Sequence, residues 1–225
     1  MNMKIGVGIT TRNRNSILLK NLTYFDKYCP KDFKLIIVDD ASTIPFPKAT
    51  FRFEKQAGIA KAKNKCFELL SDCDHVFLFD DDCYPIHEEW WKPYLDNKEP
   101  HLMYIFSQYT NGQRLMDIST LYYDETIIAY SHPRGCMLYY DMRAIKIVGT
   151  MNEKFEIWGY EHVNLSDRIF NNGLTTFRYM DVRNSQKLIH SMDESITVVS
   201  SVTPEQKIKH LEKNTILYKQ LFNEK

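Results

Sequence analysis

Asp80-Asp81-Asp82 places three carboxylates directly after a short apolar run, Val76 to Phe79. Carboxylates this close repel one another and are costly to bury without a counter-charge. Their oxygen donors suit a hard divalent ion, Mn2+ or Mg2+, of the kind often shared with a substrate phosphate. An acidic polar loop is the alternative reading of the same three residues. Two more polar clusters follow apolar runs in the same manner. Thr10 to Arg14 follows Ile5 to Ile9, and Asp39-Asp40 follows Phe33 to Val38. A turn-forming pair would account for Asp39-Asp40, and a solvated loop for Arg12 and Arg14.

The elements that must position these clusters are legible from periodicity. Ile5 to Thr10, Phe33 to Val38 and Val76 to Phe79 read as buried strands, and Pro85 is expected to stop the ladder after the third. Apolar spacing predicts helices over Ser16 to Tyr28, capped by Asn15 or Ser16, and over Gly58 to Leu70. Phe51-Arg52-Phe53 forms a short strand between them. Alternation of this kind predicts an α/β protein with a central, mostly parallel sheet flanked by helices. Ligands of such sheets bind outside the carboxyl ends of the strands, where all three polar clusters converge.

The second half is less regular. Strands are expected at Leu102 to Phe106, Leu121 to Tyr130, Gly135 to Tyr140, Thr175 to Tyr179 and Lys187 to His190. A short helix covers Arg143 to Val148, and another follows Trp158-Gly159-Tyr160-Glu161-His162 and ends near Gly173. Thr203-Pro204-Glu205-Gln206 is a helix start with a capping box, and Ile208, Leu211, Tyr218 and Phe222 give that helix an apolar stripe expected to pack on the body.

The bulk properties narrow the function classes. Lys plus Arg and Asp plus Glu are 29 each, so no broad positive field exists to bind nucleic acid. No apolar run approaches the roughly 20 residues of a membrane span. Five cysteines without a CxxC pair, Cys29, Cys66, Cys73, Cys83 and Cys136, are expected to be reduced in a cytoplasmic protein. Neither a dinucleotide fingerprint nor a P-loop is present.

In order and spacing, four segments resemble the GT-A-fold glycosyltransferases, close to family 2. They are Val7-Gly8-Ile9-Thr10-Thr11-Arg12-Asn13-Arg14, Ile36-Ile37-Val38-Asp39-Asp40-Ala41-Ser42, Ala57-Gly58-Ile59-Ala60-Lys61-Ala62-Lys63-Asn64 and Phe79-Asp80-Asp81-Asp82. Arg134-Gly135-Cys136-Met137-Leu138-Tyr139 through Asn152-Glu153 is similar to the family's acceptor-side segment. Trp158-Gly159-Tyr160-Glu161-His162 resembles the WGGED/N motif of galactosyltransferases and polypeptide N-acetylgalactosaminyltransferases. His190 follows at the distance of their metal-binding histidine.

The resemblance implies a single GT-A (Rossmann-like) domain over 1–225. A nucleotide-sugar half would span 1–100 and an acceptor half 101–200, with a C-terminal helix at 203–224 outside the likeness. It implies a donor site of Thr10, Thr11, Arg12, Asp40, Lys61, Asp80 and Asp81. Metal ligands would be Asp82, His190 and Asp80, and sugar or acceptor contacts Gly135, Trp158 and Gly159. Glu161 and His162 would be catalytic. At the second position of that pair, inverting relatives carry aspartate and retaining ones asparagine. Histidine there departs from both and can act as a base near neutral pH. Glu161 would orient the donor sugar while His162 or Glu161 takes the acceptor proton, with stereochemical outcome open.

The implied activity is metal-dependent transfer of a hexosyl or pentosyl group from a nucleotide-sugar to a hydroxyl of a glycan or glycoconjugate, with no membrane span and a cytoplasmic location (host cytoplasm if viral). A phage-type transferase acting on hydroxymethylated DNA bases keeps the chemistry and changes the acceptor; neutral charge speaks against it. A nucleotidyltransferase also uses strand-end aspartates and Mg2+, but the Trp-Gly-x-Glu motif speaks for the sugar enzymes.

Overall fold

The structure, a computed structural model, describes residues 3–195 and 203–223. In chain order the first half contains β1 (Ile5–Thr11), α1 (Asn15–Tyr28), β2 (Lys34–Asp39), β3 (Phe51–Arg52), α2 (Ile59–Leu69), β4 (His75–Asp80), β5 (Cys83–Pro85) and α3 (Lys92–Leu95). The second contains β6 (His101–Met103), β7 (Thr120–Tyr123), β8 (Ile127–Tyr130), β9 (Met137–Asp141), α4 (Met142–Val148), α5 (Glu161–Asn171), β10 (Met180–Val182), β11 (Ile189–Ser191) and α6 (Pro204–Asn223).

A six-stranded sheet of order β3-β2-β1-β4-β9-β6 organises the chain. β3, β2, β1 and β4 run parallel, whereas β9 is antiparallel to both β4 and β6. All seven residues of β1 are buried, as expected of a central strand covered on both faces. Side chains alternate between two apolar layers. Ile5, Val7, Ile9, Phe77 and Phe79 pack with Leu18, Leu22 and Phe25 of α1. Val76 and Leu78 face the other way, towards Ala62, Cys66 and Phe67 of α2 and Leu165 and Ile169 of α5.

Parallel order brings the carboxyl ends of β1, β2 and β4 to one edge. There Thr10 pairs with both Val38 and Asp80. The antiparallel β9 brings the second half of the chain to the same edge, and the Asp80 amide donates to the Cys136 carbonyl at 2.9 Å.

Several expectations are corrected. Pro85 does not simply end the ladder. The chain turns at Asp81-Asp82 and enters β5, whose Cys83 and Pro85 pair with Ser191 and Ile189 of β11. The run from 121 to 130 is a β7–β8 hairpin rather than one strand. Asp124 makes the turn by accepting hydrogen bonds from the amides of Thr126 and Ile127. Thr175 to Tyr179 is irregular, and the strand begins at Met180. Neither Asn15 nor Ser16 caps α1; Arg14 holds that position without a side-chain cap, and Asn15 donates to the carbonyls of Ile44 and Pro45.

The capping box of α6 forms, with Thr203 and Gln206 exchanging hydrogen bonds. Its apolar stripe does not pack as expected: Ile208, Leu211 and Phe222 are exposed. No helix among the described residues is long and apolar enough to cross a membrane.

Candidate functional site

A cleft of about 720 Å3 opens at the shared edge. Twelve predicted positions line it: Thr10, Thr11, Arg12, Asp40, the three aspartates at 80–82, Gly135, and Trp158, Gly159, Glu161 and His162. Two do not. Lys61 is half exposed, with its ammonium 4.0 Å from Glu153. His190 lies on β11 against the Tyr84 ring, and its Nδ1 is 3.6 Å from Glu194.

The three aspartates have different surroundings. Asp81 is buried and accepts from the Thr11 hydroxyl at 2.7 Å, while its main-chain carbonyl accepts from Asn21 at 2.9 Å. Burial raises its carboxyl to about 7, even with Arg14 beside it. The Arg14 guanidinium bridges two acids, 2.9 Å from Asp81 Oδ1 and 2.7 Å from Asp82 Oδ2. Asp80 instead faces Lys63, whose Nζ is 3.1 Å away and also donates to the Gly135 carbonyl at 3.0 Å.

Lys63 is 1% exposed. Burial lowers its pKa, but Asp80 and Glu161 outweigh that and hold the amine charged. The helix period contained the signal for this residue. Lys63 lies four residues after Ile59 and three before Cys66, on the apolar face of α2, whereas Lys61 lies off it.

Asp40 lines the cleft, but both its oxygens are engaged, accepting from the amides of Ala57 at 2.6 Å and Gly58 at 3.0 Å. It thereby fixes the turn that starts α2. Gly58 has φ +93°, and a Cβ there would lie 2.2 Å from the Glu156 carbonyl oxygen, so no other residue fits.

Across the cleft, Glu161 starts α5 and is 4% exposed. Its Oε1 is 3.0 Å from His162 Nδ1, while Oε2 has no hydrogen-bond partner among the described residues. Burial favours the neutral acid, yet His162, Lys63 and the helix-start amide outweigh it and hold the carboxyl at about 2. Gly135 makes room for the imidazole, since a Cβ there would sit 3.0 Å from His162 Cε1 and Nδ1.

The chain also brings in residues that motif reading missed. The Met192 amide donates to the Asp82 carbonyl at 2.9 Å, which sets Asp193 at the cleft. Burial raises the Asp193 carboxyl to about 6, with Asp82 and Asp80 adding to the shift. Lys207, Leu211 and Tyr218 of α6 form a further wall. Beyond its capping box no motif marks α6, and its exposed apolar residues show that it packs through something else.

Asp80 and Asp82 are hard oxygen donors that both line the cleft. Among the described residues no group of three or more His, Cys, Asp or Glu side chains is arranged to hold a metal ion. Two carboxylates suffice for Mn2+ or Mg2+ when a substrate phosphate and water complete the shell. The residues therefore fit an ion that is shared with a diphosphate, better than one caged by protein alone.

A protein-family model described as the N-terminal domain of galactosyltransferase matches residues 120–191. An uncharacterised glycosyltransferase of Acanthamoeba polyphaga mimivirus is 28% identical, over 88% of this chain and 86% of the relative. GalNAc-T7, solved with UDP, GalNAc and Mn2+, superposes with TM-score 0.63 at 12% identity, covering 80% of this chain and 42% of that one. Staphylococcus aureus TarS with UDP-GlcNAc gives 0.60 at 17%, covering 88% and 62%. The catalytic domain of Drosophila beta1,4galactosyltransferase 7 with xylobiose gives 0.57 at 15%, covering 93% and 79%. The chain thus spans less than two thirds of the first two structures. Its fold is that of the GT-A glycosyltransferases, with a galactosyltransferase-type segment in the second half.

Proposed function

We propose that this chain transfers a sugar from a nucleotide-sugar to a hydroxyl of a glycan or other glycoconjugate, with a divalent ion, Mn2+ or Mg2+, at Asp80 and Asp82. The observation that carries this reading is the meeting of two chemistries in one cleft. Strand-end acids and buried cations lie on one wall, and a Glu161–His162 pair lies on the other.

In this reading Thr10, Thr11 and Arg12 receive the nucleoside at the tips of β1 and β4. The diphosphate meets Arg12, Lys63 and Lys207. When bound, the divalent ion supplies charge neutralisation for the departing diphosphate. Asp80 and Asp82 would hold that ion, and Arg14 is the counter-charge that Asp82 has without it. Trp158 offers its ring to a sugar face.

Proton handling falls to His162. Glu161, held at about 2, stays ionised at neutral pH and is a poor base. It orients the imidazole through Nδ1, leaving Nε2 to take the acceptor proton, and stabilises the imidazolium that results. As the acceptor oxygen bonds to the anomeric carbon, the bond from that carbon to the diphosphate oxygen breaks, and the leaving group carries away the electron pair. Oε2 of Glu161, buried without a hydrogen-bond partner among the described residues, is available to a donor-sugar hydroxyl.

All five cysteines are free and four are buried, which supports a reducing, cytoplasmic setting. The test is a panel of nucleotide-sugars followed for slow hydrolysis, with Mn2+ or with EDTA. Release from one donor, suppressed by EDTA, is expected. Release from none would contradict the transferase reading, and release untouched by EDTA would contradict the metal.

A further inference from the structure

We propose that Asn214 of α6 is a positioning residue for the turn that delivers Glu161 and His162, which makes the C-terminal helix a working part of the site. The role in turnover rests on the transferase reading above; the geometry does not.

With Ile208, Leu211, Ile216 and Phe222 exposed, hydrophobic packing gives α6 little purchase. Polar contacts hold it instead, the Tyr218 hydroxyl to Asp167 of α5 among them, and Asn214 makes the most deeply buried ones. Asn214 is 1% exposed, and its Nδ2 donates to the carbonyls of Phe155 at 2.9 Å, Trp158 at 2.8 Å and Gly159 at 3.0 Å. Carbonyls accept only, so the amide must present its nitrogen to them, and its two hydrogens are shared among three oxygens.

Those oxygens belong to a turn that does not hold itself. Glu156 (φ 53°), Gly159 (φ 95°) and Tyr160 (φ 70°) are all left-handed, a conformation that non-glycine residues keep only when their surroundings impose it. Three carbonyls converging on one point also repel unless a donor lies between them. Asn214 is that donor.

The turn ends at Tyr160, and the next residue is Glu161, the first of α5. A shift of the turn is therefore a shift of the Glu161–His162 pair. Other ties from α6 reach the same segment. Lys213 pairs with Glu156 at 2.7 Å, the Thr215 hydroxyl donates to the Tyr160 hydroxyl at 3.2 Å, and the Tyr218 ring stacks on Tyr160 at 5.0 Å. The Lys213 pair is solvent-exposed and worth little. Of these ties from α6, only those of Asn214 address the main chain of the turn among the described residues.

Asn214→Asp keeps the side-chain shape and sets an acceptor against three acceptors. At neutral pH it should lower kcat about a hundredfold, the usual cost of misplacing a reacting group by an ångström. The Kd for UDP with Mn2+ should change far less than kcat, because the strand tips are separate from the turn and Lys207 alone of the proposed diphosphate contacts lies on α6. Lowering the pH protonates the introduced carboxyl, which is pushed up by burial, and restores one donor. The ratio of variant to wild-type kcat should then rise, a response that simple loss of stability would not give. With 5-fluorotryptophan incorporated, the Trp158 resonance should move while those of Trp90 and Trp91 hold.

A folded variant with wild-type kcat, a kcat ratio flat with pH, or an unmoved Trp158 resonance would overturn the assignment. Should Asn214→Asp not fold, Asn214→Ala takes its place in the kcat, UDP and fluorine measurements. Unfolding of both would make Asn214 a residue that holds the fold and would also overturn it. If the wild type turns over no nucleotide-sugar, the transferase reading fails, and the fluorine spectrum still decides whether Asn214 sets the turn.

Discussion

Replacing Lys63 by methionine tests the electrostatic design of the cleft. Lys63 is buried at 1% exposure, with Asp80 at 3.1 Å and Glu161 close enough to raise its pKa. Methionine retains most of the packing and removes the charge, so two carboxylates lose their shared cation. Removing one partner of a buried ion pair costs about 3–5 kcal/mol, chiefly because the other charge is left stranded. Asp80 has a side chain about a third exposed, which points to the lower end, near 3 kcal/mol.

For a chain of this size 1 kcal/mol corresponds to about 2–4 °C, so the midpoint should fall by about 6–12 °C. The sign with pH follows. A lysine whose folded pKa is raised contributes stability that is fully present below its unfolded value, near 10.4, and is lost as pH rises through the folded one. The loss in Lys63→Met is therefore complete at pH 7. It should shrink in acid as the stranded carboxyl protonates.

Lys61→Met is the control. Its pair with Glu153 is exposed at 4.0 Å and should matter by less than about 1 kcal/mol. Urea unfolding of both variants, with a double-mutant cycle to Asp80→Asn, measures the term directly. A Lys63→Met loss below about 1 kcal/mol at neutral pH, equal to that of Lys61→Met, would refute the reasoning.

Arg14→Gln releases Asp82, so Mn2+ should bind the nucleotide-free protein about tenfold tighter by electron paramagnetic resonance, the equivalent of one charge-assisted hydrogen bond; unchanged or weaker binding would count against Arg14 as the resident counter-ion. His162→Ala should lower kcat by about 10^2–10^4 through loss of the base. Glu161→Gln keeps Oε1 as an acceptor for Nδ1 but removes the charge, and should also lower kcat; near-normal turnover in both would remove the pair from the chemistry. Asp193, raised to about 6, carries its charge above that pH, so Mn2+ affinity should climb as pH rises through 6. That step should vanish in Asp193→Asn and persist in His190→Ala, and the reverse pattern would assign the step to His190 instead.

The strand tips were readable because a buried parallel strand is a continuous apolar run, and its polar end is an abrupt break in composition. Thr10, Asp40 and Asp80 sit where that break predicts. The sequence motif placed Glu161 and His162 equally well, since a helix start follows the Trp-Gly turn directly. What the motifs did not carry is the wiring between distant segments. Arg14 reads as an exposed loop residue until β4 delivers two acids to it. Motif position points to Lys61, whereas helical phase points to Lys63. His190 and Asp193 lie three residues apart, and only the folded chain shows that Asp193 lines the cleft while His190 packs on Tyr84. Asn214 has no local signature, because its partners lie over fifty residues upstream.

Nucleotide binding tests the central claim most directly. Titration of the wild type and of Asp82→Asn with UDP and with GDP, each in the presence of Mn2+, should show one nucleoside diphosphate bound by the wild type. Its affinity should fall at least about tenfold in Asp82→Asn, as expected when a charged contact to the ion is lost. Failure of the wild type to bind either nucleotide, or equal affinity in both proteins, would contradict the assignment of this cleft to a nucleotide-sugar held through Asp82.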